Sequence, residues 1–439
     1  EKARVGGFVE TCAAFHALVA AASRAHAMRH AAPFGIGDAE PQVNFGKLHR
    51  HVRGVVEAAA AGRTAARFAA LGAYVIDAEA RFADRRTVVA GEHQIRARHV
   101  VVATGSATAM PEIAGLDTVE FLTPQTVFGL TRRPGRLAIL GGDGEGIALA
   151  QAYRRLGVDV VVIGRDSALA KADPEAASIV LQRMRAEGVD IRMHTDVRRI
   201  ERRGKSGVRL HIADRNGTEE AIDATHLLVM GERRPLTAGL DLDKAGIAFT
   251  GHGIAVDANL RTANGRVYAI GEATGAAHST HAAAYQAALV ARTILSRQRA
   301  PFNPHAVPVT IHTDPQIARI GLDEAEARAA HRHIRVLRWP YADNDRALAE
   351  RRTAGFVKLV TDRNERILGV SIVGAEAGEA IGVWALALSA GLTVNDVATY
   401  VPSWPGFGEI GKRAAMAYFS EAARKTGARR LFRLPRIFG

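Results

Sequence analysis

Two short stretches carry the residue types that do chemistry. Positions 6–18 read GGFVETCAAFHAL, and Cys12 within them is the only cysteine among 439 residues. It follows a Gly-Gly turn, at the start of an apolar, Ala-rich helix. A helix N-terminus lowers a thiol pKa and supports a thiolate. A single thiol cannot close an internal disulfide, so its available chemistry is that of a lone nucleophile or a sulfenic acid. The bland alternative is a small buried side chain.

The second stretch is Gly141-Gly142-Asp143-Gly144-Glu145-Gly146. A GxGxxG loop between a strand and a helix lets a pyrophosphate approach the backbone and sit on the helix N-terminus. Gly141 and Gly146 hold the outer glycine positions. Asp143 replaces the middle one, adding bulk and negative charge where the phosphates come closest. Glu145 is a second acid two residues on. The next strand ends VVVIGRD, with Gly164 where an acid would hold the ribose of NAD, followed by Arg165. Arg165 favours a 2′-phosphate, so a dinucleotide bound here is expected to be NADP rather than NAD.

These residues need elements to position them. RLAILGGDGEGIALAQAYRRLGVDVVVIGRD reads as strand, glycine loop, helix and strand, one βαβ unit. Residues 12–32 and 47–72 read as helices. YVIDAEARF and TVVAGEHQIRARHVVVATGS read as strands, the latter ending in a glycine turn. Further strands follow in 187–231, with RNG as a turn. RVYAIGEATG is a buried strand ending in another glycine turn. RQRAPFNPHAVP, with three prolines, marks a boundary. Beyond it FVKLVTDRNERILGVSIVG reads as a hairpin, and EAIGVWALALSAGL as a helix stopped at Gly391. No repeat of 20–50 residues is present.

Length allows about two to four domains. Composition, 48% hydrophobic with 43 glycines, fits a globular α/β chain. A single cysteine fits a reducing compartment, and the expected location is cytoplasmic. No apolar run reaches the roughly 18 residues of a membrane span. The formal charge of +13 comes without any nucleic-acid-binding signature, so a solvated basic surface is preferred to a nucleic-acid partner. The close pairs His49/His51 and His331/His333 lack cysteine companions and read as surface histidines, so no metal is expected. The tail RRLFRLPRIFG alternates basic and apolar residues. Pro435 breaks any long helix there, and a packing or unstructured tail is favoured over peripheral membrane contact.

Taken together, the segments resemble the class I pyridine nucleotide-disulfide oxidoreductases, the family of dihydrolipoamide dehydrogenase, mercuric reductase and glutathione reductase. The likeness is collinear over essentially the whole chain. VVATGS (101–106) is similar to the family's ATG motif, LLVMGERRP to its ATGRRP segment, and RVYAIGEATG to the segment whose acid holds the flavin ribitol. THAAAYQA (280–287) resembles the helix that follows. TDPQIARIGLDEAEARA (313–329) resembles the start of the dimerisation domain and is the most specific match. PSWPGFGEIGKRAAMAYFSEAAR is closest to a mercuric-reductase-like branch.

The resemblance implies an α/β architecture of two Rossmann-like domains, for FAD and NAD(P), plus an α+β dimerisation domain. The expected boundaries are 1–125 for the FAD domain, 126–250 for the NAD(P) domain, 251–300 for the return to the FAD domain, 301–420 for dimerisation and 421–439 for the tail. It implies a homodimer. It also implies FAD contacts at Glu1, Ala103, Thr104, Gly105, Gly271, Glu272 and His281, and dinucleotide contacts at Gly141, Gly146 and Arg165. Glu272 stands for the usual Asp with a reach longer by one carbon, so its flavin hydroxyl contact is expected to survive.

The departures are equally informative. The first βαβ unit of the family is missing ahead of Glu1, and the chain is expected to be truncated relative to its gene. The redox segment GGxCxxxxCxPSKAL keeps only its second cysteine, Cys12, and His16 replaces its lysine. A dithiol shuttle therefore has no partner. Trp404 replaces the histidine of the family's His-Pro…Glu acid/base pair, while Pro405 and Glu409 remain. Trp has no titratable nitrogen. Ala148 replaces a glutamate of the dinucleotide helix. The expectation is an FAD-dependent NAD(P)H oxidoreductase without dithiol chemistry, with Cys12 and Glu409 as its catalytic candidates and an unknown small-molecule acceptor. The alternative is a redox-inactive homologue acting as a dimeric binding or scaffold protein.

Overall fold

The computed structural model describes residues 7–204, 207–275, 279–296, 298–299 and 301–425. It divides into two compact units. The first is Glu1–Gly141, Ala152–Arg165 and Ile191–Asn303; the second is Gly142–Gln151, Asp166–Asp190 and Pro304–Gly439. Among the described residues, no helix is long and apolar enough to cross a membrane.

In the first unit, helices Gly7–Arg29 and Phe45–Ala60 pack through Ala14, Ala17 and Val52. The first helix already runs from Gly7, so the expected start at Cys12 is corrected: the thiol sits in the second turn, away from the N-terminal N–H groups that would lower its pKa. The helix expected over 47–72 is interrupted. It stops at Ala60, and Thr64 starts a second short helix, Ala65–Ala70, by accepting the Arg67 N–H at 3.2 Å. A threonine cap competes with helix continuation because its hydroxyl satisfies an otherwise orphan donor. The strand expected over 74–82 shrinks to Ala80–Phe82, which pairs with Thr87–Ala90. Residues 73–79 carry β-forming side chains, but no strand among the described residues lies alongside them, and Tyr74 is 81% exposed. Val100–Val102 pairs in parallel with Val267–Ala269, forming a sheet of two strands.

A four-stranded sheet of the same unit has the order His226–Val229, Arg136–Leu140, Asp159–Gly164 and Asp190–Met193, its first three strands parallel. Leu137, Ala138, Ile139, Val160, Val161 and Val162 are wholly buried. This is why these strands read as unbroken apolar runs rather than alternating ones. An antiparallel meander, Thr195–Arg203, Gly207–Asp214 and Glu219–Ala224, shares its core through Leu210, Ile212 and Ile222. The RNG turn closes the meander. Gly217 has φ +79°, and the Asp214 carboxylate accepts the Asn216 and Thr218 N–H groups at 2.8 Å.

The second unit contains a five-stranded antiparallel sheet in the order Val309–Ile311, Gln316–Gly321, Ile367–Gly374, Phe356–Asp362 and Ile334–Pro340. The hairpin expected over 356–374 is present, pairing Phe356 with Val373. Helices Ala377–Ala390 and Glu409–Lys425 contribute to its core around Trp384. Gly391 ends the first of these at φ +68°, as its position foretold. Lys358 alternates with the core-facing Val357 and Leu359 of its strand. Only 4% exposed, it places its ammonium 2.6 Å from both Asp173 and Glu175. Asp173 is also the N-cap of helix Pro174–Ala186.

Candidate functional site

In the first unit, strand Val100–Val102 runs into the turn 103–106. Ala103 and Thr104 are exposed there, and Gly105 has φ +73° with open space where a side chain would stand. The Thr104 hydroxyl donates to the Leu236 carbonyl at 2.8 Å. Ser106–Ala109 then pairs antiparallel with Glu232–Pro235, which carries Arg233 to the turn. Glu272, on the turn Gly271–Thr274, meets both. The Ser106 hydroxyl donates to Glu272 Oε2 at 2.7 Å, and Arg233 donates to Oε2 at 2.9 Å and to Oε1 at 3.3 Å. Oε1 thus accepts one bond and keeps a lone pair for a ligand hydroxyl.

Gln286, wholly buried on helix Thr280–Ser296, accepts the Gly271 N–H at 2.6 Å. Its Nε2 is buried and has no hydrogen-bond partner among the described residues. The first residue of this helix, Thr280, sets its hydroxyl 3.6 Å from the Cys12 thiol. Residues 12, 103–106, 233, 271–272, 280 and 286 are therefore linked through shared turns and one helix. His281 is exposed, with its ring nitrogen 3.4 Å from the Ser279 hydroxyl. Burial lowers the His16 imidazole below its ordinary pKa, so it carries no lysine-like charge at neutral pH.

The glycine loop has its own geometry. Gly141, at φ +129°, lies so close to Met230 that a Cβ would meet its side chain at 2.8 Å. Gly146 is buried, and its N–H donates to the Asp143 carboxylate at 2.8 Å. Arg165 is extended, 81% exposed, with Nε 2.8 Å from Asp196 Oδ1. In the second unit, Trp404 is 70% exposed and donates from Nε1 to Asp345 at 3.1 Å. Glu409 opens the last helix, with Oε1 held by Arg413 at 2.7 Å and Oε2 buried without a hydrogen-bond partner among the described residues. Glu1 and the tail from 426 onward lie outside the described residues.

Arg233, Thr280, Ser106 and Gln286 lie within the motif segments of the sequence, but nothing in their types or spacing marks them as site residues. The one available signal was that an arginine and a buried glutamate sit on motifs expected to converge. Asp196, the partner of Arg165, carries no local signal at all.

Residues 9–287 match the family model described as pyridine nucleotide-disulphide oxidoreductase, and residues 307–415 match that family's dimerisation domain. The chain belongs to the pyridine nucleotide-disulphide oxidoreductase family. It is similar to mercuric reductase of Streptomyces lividans, 32% identical over 94% of this chain and 88% of the relative. It is 31% identical to mercuric reductase of Bacillus cereus over 80% of this chain, but spans only 56% of that relative's length. The HOCl-induced flavoprotein disulfide reductase RclA from Escherichia coli, as its Cu(II) complex, shares the fold: TM-score 0.81 and 24% identity over 94% of this chain and 92% of that one. The family is FAD- and NAD(P)-dependent, and its dimerisation domain supports a homodimer.

In this family member, the residues present fit a flavin dinucleotide. Gly105 in the 103–106 turn has open space where a side chain would stand, Glu272 keeps an acceptor site, and Gln286 Nε2 has no hydrogen-bond partner among the described residues.

Proposed function

We propose that this oxidoreductase takes hydride from NAD(P)H, preferably NADPH, and passes electrons from FAD to a small acceptor without a dithiol relay. The observation that carries the reading is Cys12. The position five residues before it, where a redox partner would stand, is Gly7, and the thiol's neighbour is the Thr280 hydroxyl. A hydroxyl can orient a thiol or support a thiolate but cannot exchange disulfide bonds with it.

Bound FAD supplies the two-electron acceptor for hydride. The chain's own part is to hold and orient. Thr104, Gly105 and Gly271 shape the backbone of the turns, Glu272 takes a hydroxyl while Arg233 and Ser106 fix its carboxylate, and Gln286 braces Gly271. Cys12, on helix Gly7–Arg29, is oriented by the hydroxyl of Thr280, the first residue of helix Thr280–Ser296. Glu409, with Trp404 in place of a titratable neighbour, is left without a proton relay, which disfavours acceptors that need a thiol protonated on release. Within the first unit, the engagement of Arg165 with Asp196 leaves the guanidinium less available to a 2′-phosphate.

A second reading, a dimeric binding protein without redox turnover, is favoured by Trp404. An anaerobic titration of the purified flavoprotein with NADPH separates the two. Bleaching of the flavin bands is expected; a spectrum indifferent to NADPH refutes the oxidoreductase reading.

A further inference from the structure

We propose that Asp143 sets the dinucleotide affinity of this protein by occupying, with its own carboxylate, the helix N-terminus that a dinucleotide pyrophosphate must use. The inference rests on the reading of the protein as an NAD(P)H oxidoreductase.

Helix Gly144–Arg155 begins directly after Asp143, whose carbonyl accepts the first helical bond, from Ile147, at 3.0 Å. Its carboxylate accepts the Gly146 N–H at 2.8 Å. An acid at this position is favoured by the same orphan donors and helix dipole that make such a terminus a phosphate site. The two anions therefore compete for one set of N–H groups, and the internal one is covalently attached.

The loop is held in place from two further sides within the second unit. The Leu169 N–H donates to the Gly142 carbonyl at 2.9 Å. A Cβ on Gly144 would lie 2.9 Å from the Ile311 side chain, so the backbone there has little room to withdraw. Lys171, on the segment leading to Asp173, attracts the Asp143 carboxylate, while Glu145 stands in the first turn of the helix. Crowding raises the Asp143 pKa while the Gly146 N–H and Lys171 oppose the rise, and the side chain is still reached by solvent.

Removing the carboxylate should strengthen binding, the opposite of what substitution in a binding loop ordinarily does. The test is calorimetric titration of the oxidised flavoprotein with NADP⁺ and with NAD⁺, a probe pair that involves no turnover. Asp143→Gly is expected to lower Kd for both by about tenfold, equivalent to about 1.4 kcal/mol. Asp143→Asn, which keeps the size and the cap acceptor but removes the charge, is expected to lower it by a smaller factor. Asp143→Glu is expected to give no gain. Should the glycine variant melt early, the asparagine variant carries the test. Equal or weaker binding by both Gly and Asn variants overturns the proposal. If NADPH still bleaches the flavin of the unsubstituted protein, only this inference falls; if no form binds either dinucleotide, the assignment of the electron donor falls with it.

Discussion

Arg233→Met tests whether the ion pair at the flavin segment is as consequential as its geometry implies. The substitution keeps most of the apolar stem and deletes the guanidinium. Glu272 then loses the donors at 2.9 and 3.3 Å and retains only the Ser106 hydroxyl at 2.7 Å. The Glu272 side chain is 10% exposed and that of Arg233 23%. Breaking a buried pair from one side costs about 3–5 kcal/mol. Partial exposure of the arginine and the surviving hydroxyl bond lower the expectation to about 2–3 kcal/mol. Urea unfolding followed by tryptophan and flavin signals gives the number. The two units need not unfold together, so the transition that releases flavin is the one to analyse. The double variant Arg233→Met/Glu272→Gln removes the stranded charge and should recover at least half of the loss. A single-variant cost below about 0.5 kcal/mol, the level of an ordinary surface substitution, would refute the argument. So would a double variant whose loss is the plain sum of the two single ones, since contacting partners should couple.

Two further expectations concern the second unit. Lys358→Met strands Asp173 in a buried position. It should destabilise that unit by about 3 kcal/mol, with Lys358→Arg much milder; denaturant midpoints check this. Glu175 is held at a pKa of about 2 instead of 4.5 by hydrogen bonds from Arg338 and Lys358. The folded pKa lies below the unfolded one, so its stabilising contribution is fully present above about pH 4.5 and is lost as pH falls toward 2. Thermal melts of Glu175→Gln against the unsubstituted chain should converge over that range, and a gap that stays constant would contradict the linkage. Half exposure of Glu175 keeps the effect modest.

The sequence by itself determined the elements whose signals are local. The βαβ unit over 136–165 was legible because strands covered on both faces read as continuous apolar runs, and because a glycine loop must join them. The hairpin over 356–374 and the stop at Gly391 were legible because their residues meet backbone demands within a few positions. Collinear motifs carried the family. The failures were of two kinds. Residues 73–79 have β-forming side chains but no neighbouring strand among those described, and a strand exists only through its partner's hydrogen bonds. The long helix over 47–72 was broken by a single threonine cap that outcompeted continuation.

Only the tertiary structure decided the polar pairs. Arg233 reaches Glu272 across 39 positions, Lys358 reaches Asp173 across 185, and Cys12 meets Thr280 across 268. Hydrophobic periodicity reports which face of an element is covered, but not which charged or hydroxyl group will stand opposite a given one. That pairing depends on how elements distant in sequence converge, and each buried polar group must then be satisfied by whatever convergence supplies.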